Sequence, residues 1–236
     1  MNQTWSKADL HIHTTYSDGT TSVRELLEYV VTRTDLRVIA ITDHNTIAGA
    51  LEARRLAASY GIEVIVGEEV STAEGHLLAL FIEEELPPRR SAAETIAAVH
   101  AQNGLCIAAH PYDWCMPSLG RAGLRERSAG PGCEWPLDAI ESFNASVWLP
   151  RFNAAAAAAG ERLGLPLIGG SDAHHLATVG LGYTLFPGHT AADLRYAIRM
   201  RVSRPAGNYW RWMHNVEYVG LWLRTHAARA LTPTVP

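Results

Sequence analysis

His11 and His13 stand two apart in Asp9-Leu10-His11-Ile12-His13, followed at once by Tyr16-Ser17-Asp18-Gly19. In an extended strand, residues two apart share a face, so both imidazoles project to one side and could hold one metal ion. Asp18, in a polar turn just past the strand, is placed to reach a second ion. A lone His-x-His fits a pair of structural histidines equally well. The weight comes from later apolar runs that also carry His, Glu or Asp at their ends. Thr42-Asp43-His44-Asn45 follows the run 38–41, and Gly67-Glu68-Glu69-Val70-Ser71 follows 63–66. His76 opens the run 77–82, His110 closes 105–109, and Ser171-Asp172-Ala173-His174-His175 follows 165–168.

The candidate ligands are therefore His11, His13, Asp18, His44, Glu69, His76, His110, Asp172 and His174. Taken singly, Asp18 also reads as a turn residue, His76 as a core histidine and Asp172 as a helix N-cap. Six histidines and three carboxylates at one site would repel or stay unsatisfied without cations between them. Nine ligands exceed one ion and suffice for two or three. Mixed imidazole and carboxylate donors suit Mn, Fe or Zn better than Mg or Ca. Glu68 competes with Glu69, and because neighbouring strand residues face opposite sides, one of the two points away.

Alternating elements must position these residues. A strand over 8–13 precedes a helix opened by the capping box Ser22/Glu25, with Val23, Leu26, Leu27, Val30 and Val31 as its apolar stripe. The run 38–41 is β-branched and short, as in a buried parallel strand. A helix to Tyr60 stops at Gly61. Strands over 63–66 and 77–82 follow, then a helix opened by Ser91/Glu94 and ended by Gly104, and a strand over 105–109. Residues 116–135, rich in Gly, Pro and Arg, read as a long loop over one end of the fold. A strand over 139–143 ends at Asn144. The alanine run 154–159 makes 153–163 a helix. A strand over 165–168, a short one over 183–186 and a helix capped by Thr190/Asp193 complete the pattern. Strands alternating with helices argue a parallel α/β fold, and the absence of Gly-x-Gly-x-x-Gly favours a barrel over a dinucleotide-binding sheet. In a barrel the chemistry collects at the C-terminal strand ends, where most of these clusters fall.

A chain of 236 residues, 47% hydrophobic and 19% charged, can bury one full barrel core as a single domain. The expected division is a barrel over 1–205 and an aromatic helix with its tail over 206–236. That last segment holds Tyr209, Trp210, Trp212, Tyr218 and Trp222, and packs on the barrel or on a second subunit, which would make a homodimer. A net charge of −4 argues against a broad electrostatic grip on nucleic acid. It leaves a small phosphorylated substrate open, because bound cations add charge that the sequence count omits. Three cysteines without Cys-x-x-Cys spacing fit a reduced cytosolic chain. The polar residues 1–7 show no export signal, and no apolar run nears the roughly 18 residues of a membrane helix. The expected location is cytoplasmic.

These motifs together resemble the PHP family, named for polymerase and histidinol phosphatase. Asp9 to His13 with Ser17-Asp18-Gly19 is similar to its first motif, and Ile41-Thr42-Asp43-His44-Asn45 to its second. Gly67-Glu68-Glu69-Val70-Ser71 with Gly75-His76 is similar to the third, Gly170-Ser171-Asp172-Ala173-His174 to the fourth, and Ala109-His110-Pro111 to a further signature. The resemblance covers about the first 190 residues. It implies a distorted seven-stranded TIM-like barrel, (β/α)7, with three metals. His11, His13, Glu69 and Asp172 would hold one ion, Glu69 would bridge to a second on His76 and His110, and Asp18, His44 and His174 would hold the third. The family's Gly-x-Glu-x-Ser spacing selects Glu69 over Glu68. Asp18, His44, His174 and Glu69 would carry the catalysis, with His174 or its neighbour His175 protonating the leaving group.

Such a cluster activates water at neutral pH and neutralises phosphoryl oxygens during in-line displacement, so phosphoester hydrolysis is the expected reaction. The chain is similar to the stand-alone branch that includes nucleoside bisphosphate phosphatases and 5′-to-3′ exonucleases acting on short oligonucleotides. It departs from that branch in having only 33 residues between His76 and His110, too few for the branch's helical insertion. The family's frequent basic residue after His-Pro is also absent from Pro111-Tyr112-Asp113-Trp114, which turns attention to Arg121, Arg125 and Arg127 as phosphate contacts. Two alternatives stand beside this reading. A metal-dependent carbamate, ester or amide hydrolase would share the barrel, but Lys7 is the sole lysine, so no lysine can bridge metals at the barrel centre. A non-catalytic metal-binding module would be expected to have lost ligands, and all nine are present.

Overall fold

Asp9 ends the first strand early. The computed structural model describes residues 4–231, and the side chains of all of these but Arg121 and residues 225–231. The ends 1–3 and 232–236, the Arg121 side chain and the His226 side chain lie outside what is described. Strand β1 spans Trp5–Asp9 instead of 8–13, because the buried Asp9 carboxylate accepts the N–H groups of His11, Ser171 and Gly180 where ladder partners would stand. Burial pushes the Asp9 pKa up to about 6 against the pull of these donors. Ile12 rejoins the wall through a parallel bridge to Ala173, leaving His11 and His13 on either side of it.

Helix α1 (Val23–Arg33) starts from the expected capping box, in which Ser22 Oγ accepts Glu25 N–H and the Glu25 carboxylate accepts Ser22 N–H. Strand β2 (Leu36–Ile41), helix α2 (Ala48–Tyr60, closed by Gly61 at φ 70°) and strand β3 (Glu63–Ser71) follow. Strand β4 (His76–Leu80) then runs antiparallel to β3, with Ser71 opposite His76. This departs from the all-parallel expectation. Four residues, 72–75, are too few for a parallel crossover and force a hairpin. The reversal matters for the site, since it puts the start of β4 at the end where the other strands finish.

Helix α3 (Ala92–Ala101) and strand β5 (Leu105–Ala108) are as expected. The long loop contains a 3-10 turn (Leu119–Ala122) and one α-helical turn, α4 (Leu124–Arg127), and is anchored by the fully buried Trp135. Strand β6 (Ala139–Asn144), helix α5 (Pro150–Leu163) and strand β7 (Leu167–Gly170) lead to β8 (Gly182–Pro187), helix α6 (Ala191–Arg199), β9 (Arg204–Gly207) and helix α7 (Trp212–Leu231). The order is β7-β6-β5-β4-β3-β2-β1-β8-β9, with β8 antiparallel to β1 and β9 antiparallel to β8. The Ile12–Ala173 bridge joins the β1 and β7 ends, so strands β1 to β7 form a nearly closed α/β barrel in one domain. The division drawn from the sequence at 205/206 falls inside β9.

Side-chain alternation builds the two cores. Val38, Ala40, Ile65, Leu78, Leu80, Leu105 and Ile107 cluster with Phe186 and with Leu194 and Ile198 of α6. Their neighbours Ile39, Ile41, Leu77 and Ala79 instead pack with α1, α2 and α3. The C-terminal helix leaves Trp212, Val216, Val219 and Leu223 exposed, an uncovered apolar face of the kind the expected homodimer would bury. Among the described residues no helix is long and apolar enough to cross a membrane.

Candidate active site

All nine candidate ligands gather at one end of the barrel. His11 and His13 come from the segment after β1, with ring centroids 5.1 Å apart. His44 follows β2 and is tied to β3 by a parallel bridge to Glu69. His76 opens the reversed β4, His110 follows β5, and Asp172 and His174 follow β7. Glu69 is the hub. Its Oε1 lies 2.8 Å from His76 Nδ1 and 2.9 Å from His110 Nε2. Its Oε2 lies 3.1 Å from His11 Nε2, 3.2 Å from His13 Nε2 and 3.4 Å from His44 Nδ1. Glu68 points away, accepting the Leu86 N–H, and burial pushes its pKa up to about 7.

Three sets of donors have their ligand atoms within 4.8 Å of one another: His11, His13, Glu69 and Asp172; His13, Asp18, His44 and His174; and His44, Glu69 and His76. His110 reaches Glu69 yet falls outside these sets. The residues fit divalent cations on a direct observation: buried His13 Nδ1 and Nε2, His44 Nδ1 and His76 Nδ1 have no hydrogen-bond partner. His13 Nε2 lies 3.2 Å from both Glu69 Oε2 and Asp172 Oδ1 and is aligned for a hydrogen bond with neither. Buried polar nitrogens left this way are costly unless something binds them. His110 and Asp172 also hold φ of 26° and 52°, a region L side chains rarely adopt, so part of the fold's backbone strain falls at ligand positions.

Electrostatics point the same way. Burial alone would lower the His13 pKa, but Asp172 and Glu69 raise it to about 10. His11 is raised well above its ordinary value by Asp172, Glu141 and Glu69 against the same burial. Glu69 and Asp172 are held well below the carboxylate range by these histidines despite burial. His44, chiefly through burial, is lowered to about 4 and stays neutral. In the metal-free fold the raised histidines contribute stability that is complete below about pH 6.5 and fades as pH climbs through about 10. The depressed carboxylates contribute above their ordinary range and lose that on acidification. A cation must displace the histidine protons, so its affinity rises with pH over the same span. Titration calorimetry with Zn²⁺ at pH 7, in two buffers of different ionisation enthalpy, is expected to show release of about one proton or more for the tightest ion. Identical heats in both buffers would contradict the charge state described here.

The cluster opens to solvent at one corner. The Asp18 side chain is 39% exposed and that of His44 21%, against 10% for His174 and 8% or less for the others. The chain after β9 forms a wall at this corner. Trp210 Nε1 donates to the Ser171 carbonyl at 3.0 Å. The Tyr218 hydroxyl donates to the Asp18 carbonyl at 3.4 Å, with its ring 5.1 Å from that of His174. Burial and the Asp18 and Asp172 carboxylates raise the Tyr218 pKa, so the hydroxyl remains a donor. His175 is buried among Trp210, His214 and Tyr218 and is not on the surface. Arg127 is committed elsewhere, donating to Glu134 at 2.8 and 2.7 Å and stacking on Trp135.

Sequence reasoning missed several residues that touch the ligands. Glu141 Oε1 lies 3.0 Å from His11 Nδ1, Ser146 Oγ lies 2.8 Å from Asp172 Oδ2, and Tyr218 is the third. Glu141 carried a readable signal, as a carboxylate directly after the apolar pair Ala139-Ile140 in a short parallel strand. Tyr218 carried none beyond its aromatic neighbours.

Comparison with known proteins agrees with this architecture. A family model for the PHP domain matches residues 9–137, and one described as PHP-associated matches residues 150–203. An uncharacterized protein of Methanocaldococcus jannaschii is 39% identical over 150 residues, 59% of this chain and 82% of that one. A 5′-3′ exoribonuclease of Haemophilus influenzae is 47% identical over 66 residues, only 28% of this chain and 24% of the enzyme. In overall shape the chain is similar to a two-domain protein from Bacteroides vulgatus containing a predicted PHP-like metal-dependent phosphoesterase. That likeness has a TM-score of 0.70 at 19% identity and covers 94% of this chain and 70% of that one. With the family model spanning more than half of its length, the chain belongs to the PHP family, and with it to the metal-dependent hydrolases of phosphoesters.

Proposed function

We propose that this protein removes phosphate from, or cleaves the terminal phosphodiester of, a nucleotide or short oligonucleotide, using two to three divalent ions of Mn, Fe or Zn. The observation that carries this reading is a nine-donor cluster, buried on every side but the corner of Asp18 and His44. His11, His13, Glu69 and Asp172 would hold one ion. Glu69 would share a second with His76, and either His110 or His44 would complete it. Asp18, His44 and His174, with His13 beside them, would hold the third. Bound there, the ions would supply an activated water and neutralise the phosphoryl oxygens. The chain's own groups then set the geometry. Asp18 and His44 mark where the phosphoryl group enters. His174 lies with Nδ1 2.9 Å from the Asp172 carbonyl, which directs Nε2 toward Asp18 and the corner where a leaving oxygen would depart. A proton and an ion on Nε2 exclude each other, so His174 would protonate a leaving oxygen only when it is not holding the third ion.

The wall formed by Trp210 and Tyr218 supports a small substrate or a chain end over the middle of a polymer. The first test is an assay of Mn²⁺-loaded protein against nucleoside 3′,5′-bisphosphates, short 5′-phosphorylated RNA and DNA, and histidinol phosphate, with aryl esters as controls. Phosphate or mononucleotide release that chelator abolishes supports the proposal, and cleavage of aryl esters alone overturns it. Within that assay Tyr218→Ala is expected to raise the octanucleotide-to-dinucleotide ratio of kcat/KM by about tenfold, the low end of what one pocket wall discriminates. An unchanged ratio would mean that Tyr218 does not bound the substrate.

A further inference from the structure

We infer that β6 and the turn after it, which carry none of the nine candidate ligands, position three of them through Glu141, Asn144 and Ser146. The inference rests on the reading that the nine residues hold divalent ions. Glu141 is fully buried, and each of its oxygens has work on a different strand. Oε1 lies 3.0 Å from His11 Nδ1, while Oε2 accepts the His110 backbone N–H at 2.7 Å and the Asn144 side-chain amide at 3.0 Å. An ionised carboxylate only accepts, so His11 keeps a proton on Nδ1 when a cation displaces the one on Nε2. That leaves Nε2, which faces Glu69 Oε2 at 3.1 Å and Asp172 Oδ1 at 3.4 Å, as the nitrogen offered to a cation. A carboxylate behind a ligating imidazole fixes its tautomer and ring orientation and makes it a better donor.

Asn144 and Ser146 do the same for Asp172. The Asn144 amide lies 3.2 Å from Asp172 Oδ2, and Ser146 Oγ lies 2.8 Å from that oxygen and from Asn144 Oδ1, with one proton to share. These contacts occupy Oδ2 and turn Oδ1 toward His11 and His13, so Asp172 is presented as a one-oxygen ligand. Asn144 is itself fixed. Asn153 on α5 accepts its N–H at 3.0 Å and donates to its carbonyl at 2.9 Å. Gly170 adds independent support. A Cβ there would stand 2.6 Å from Glu141 Oε1 and 2.7 Å from His11 Cβ, so the absence of a side chain makes room for this pair.

The test compares wild-type protein with Glu141→Gln and Ser146→Ala, each stripped of metal and titrated with Zn²⁺ against a chromophoric chelator. Zinc-loaded samples are also followed by imidazole ¹H–¹⁵N NMR. Glu141→Gln is expected to weaken the tightest Zn²⁺ site by about 10- to 100-fold, the usual cost of losing such a contact. The His11 Nδ1–H resonance should move upfield, because a neutral amide oxygen accepts more weakly than a carboxylate. A role confined to packing would leave that proton and its acceptor strength unchanged. Ser146→Ala, at a half-buried position that tolerates truncation, should weaken zinc several-fold with the melting temperature of the metal-free protein unaltered. If Glu141→Gln does not fold, Ser146→Ala alone decides. Wild-type zinc affinity in the folded variants overturns the inference and leaves the functional reading standing. A wild-type protein that binds neither Zn²⁺ nor Mn²⁺ overturns both.

Discussion

Glu69→Gln is expected to reduce turnover by about 10³-fold or more, beyond the 10- to 100-fold that loss of an outer contact costs. The substitution keeps size and removes the charge toward which five imidazoles converge, at 2.8 to 3.4 Å. An amide offers one acceptor oxygen and turns donor hydrogens toward the other ring nitrogens, so one side of the hub is lost whichever way it faces. Metal analysis of the purified variant should therefore show fewer ions per chain than wild type. The metal-free variant should also melt lower, since removing one partner from a buried ionic cluster costs about 3–5 kcal/mol. The reason is visible in the charge states: the elevated pKa of His11 and the His13 value of about 10 depend in part on Glu69. Wild-type turnover with a full metal complement would remove Glu69 from the bridging role. Full activity of Glu68→Gln serves as the control, because Glu68 points to Leu86.

Features with local causes were legible in the sequence. The capping boxes at Ser22, Ser91 and Thr190 place three helix starts to the residue, because a cap is a bargain between neighbours three apart. The Glu69-over-Glu68 choice was legible from motif spacing. The reversal of β4 is readable from the four-residue connection before His76, although apolar runs by themselves carry no direction. Glu141 is harder. A buried carboxylate marks a site, but which ring it faces depends on β6 lying beside β5 and β7 and on a strand, β1, that is 130 residues away in the chain. The wall made by Tyr218 is harder still. Its relation to Asp18 spans 200 residues, and residues 212–231 lie beyond both family models. What the sequence shows best is chemistry repeated at strand ends. What it hides is the set of groups that touch the ligands from non-ligand strands.

Asp18→Ala and His174→Ala are expected to lower turnover by about 10²- to 10³-fold, the loss from removing one preorganised charge-stabilising group. In contrast to Glu69→Gln, they should leave the remaining ions in place. The distinction follows from geometry. Asp18 Oδ2 lies 3.2 Å from His174 Nε2 and 3.8 Å from His44 Nε2, and Oδ1 lies 3.6 Å from His13 Nδ1. Among the described residues the ion pairs of Asp18 run to His13, His44 and His174 and not to His11, His76 or His110. Asp18 belongs to the open corner, where its carboxylate is partly hydrated and its truncation leaves no sealed cavity, whereas His174 is buried beside it. The melting temperature of metal-free Asp18→Ala should accordingly stay within about 4 °C of wild type, the shift of roughly 1 kcal/mol in a chain of this size. A folded protein retaining the ions of the Glu69 side and losing turnover would assign the corner to the reacting phosphoryl group. Full activity in both variants would reduce the centre to the ions around Glu69 and move the point of attack inward. Since His11, His13, His76 and His110 are almost wholly enclosed there, a phosphoester could then reach the ions only after the wall of Trp210 and Tyr218 had moved.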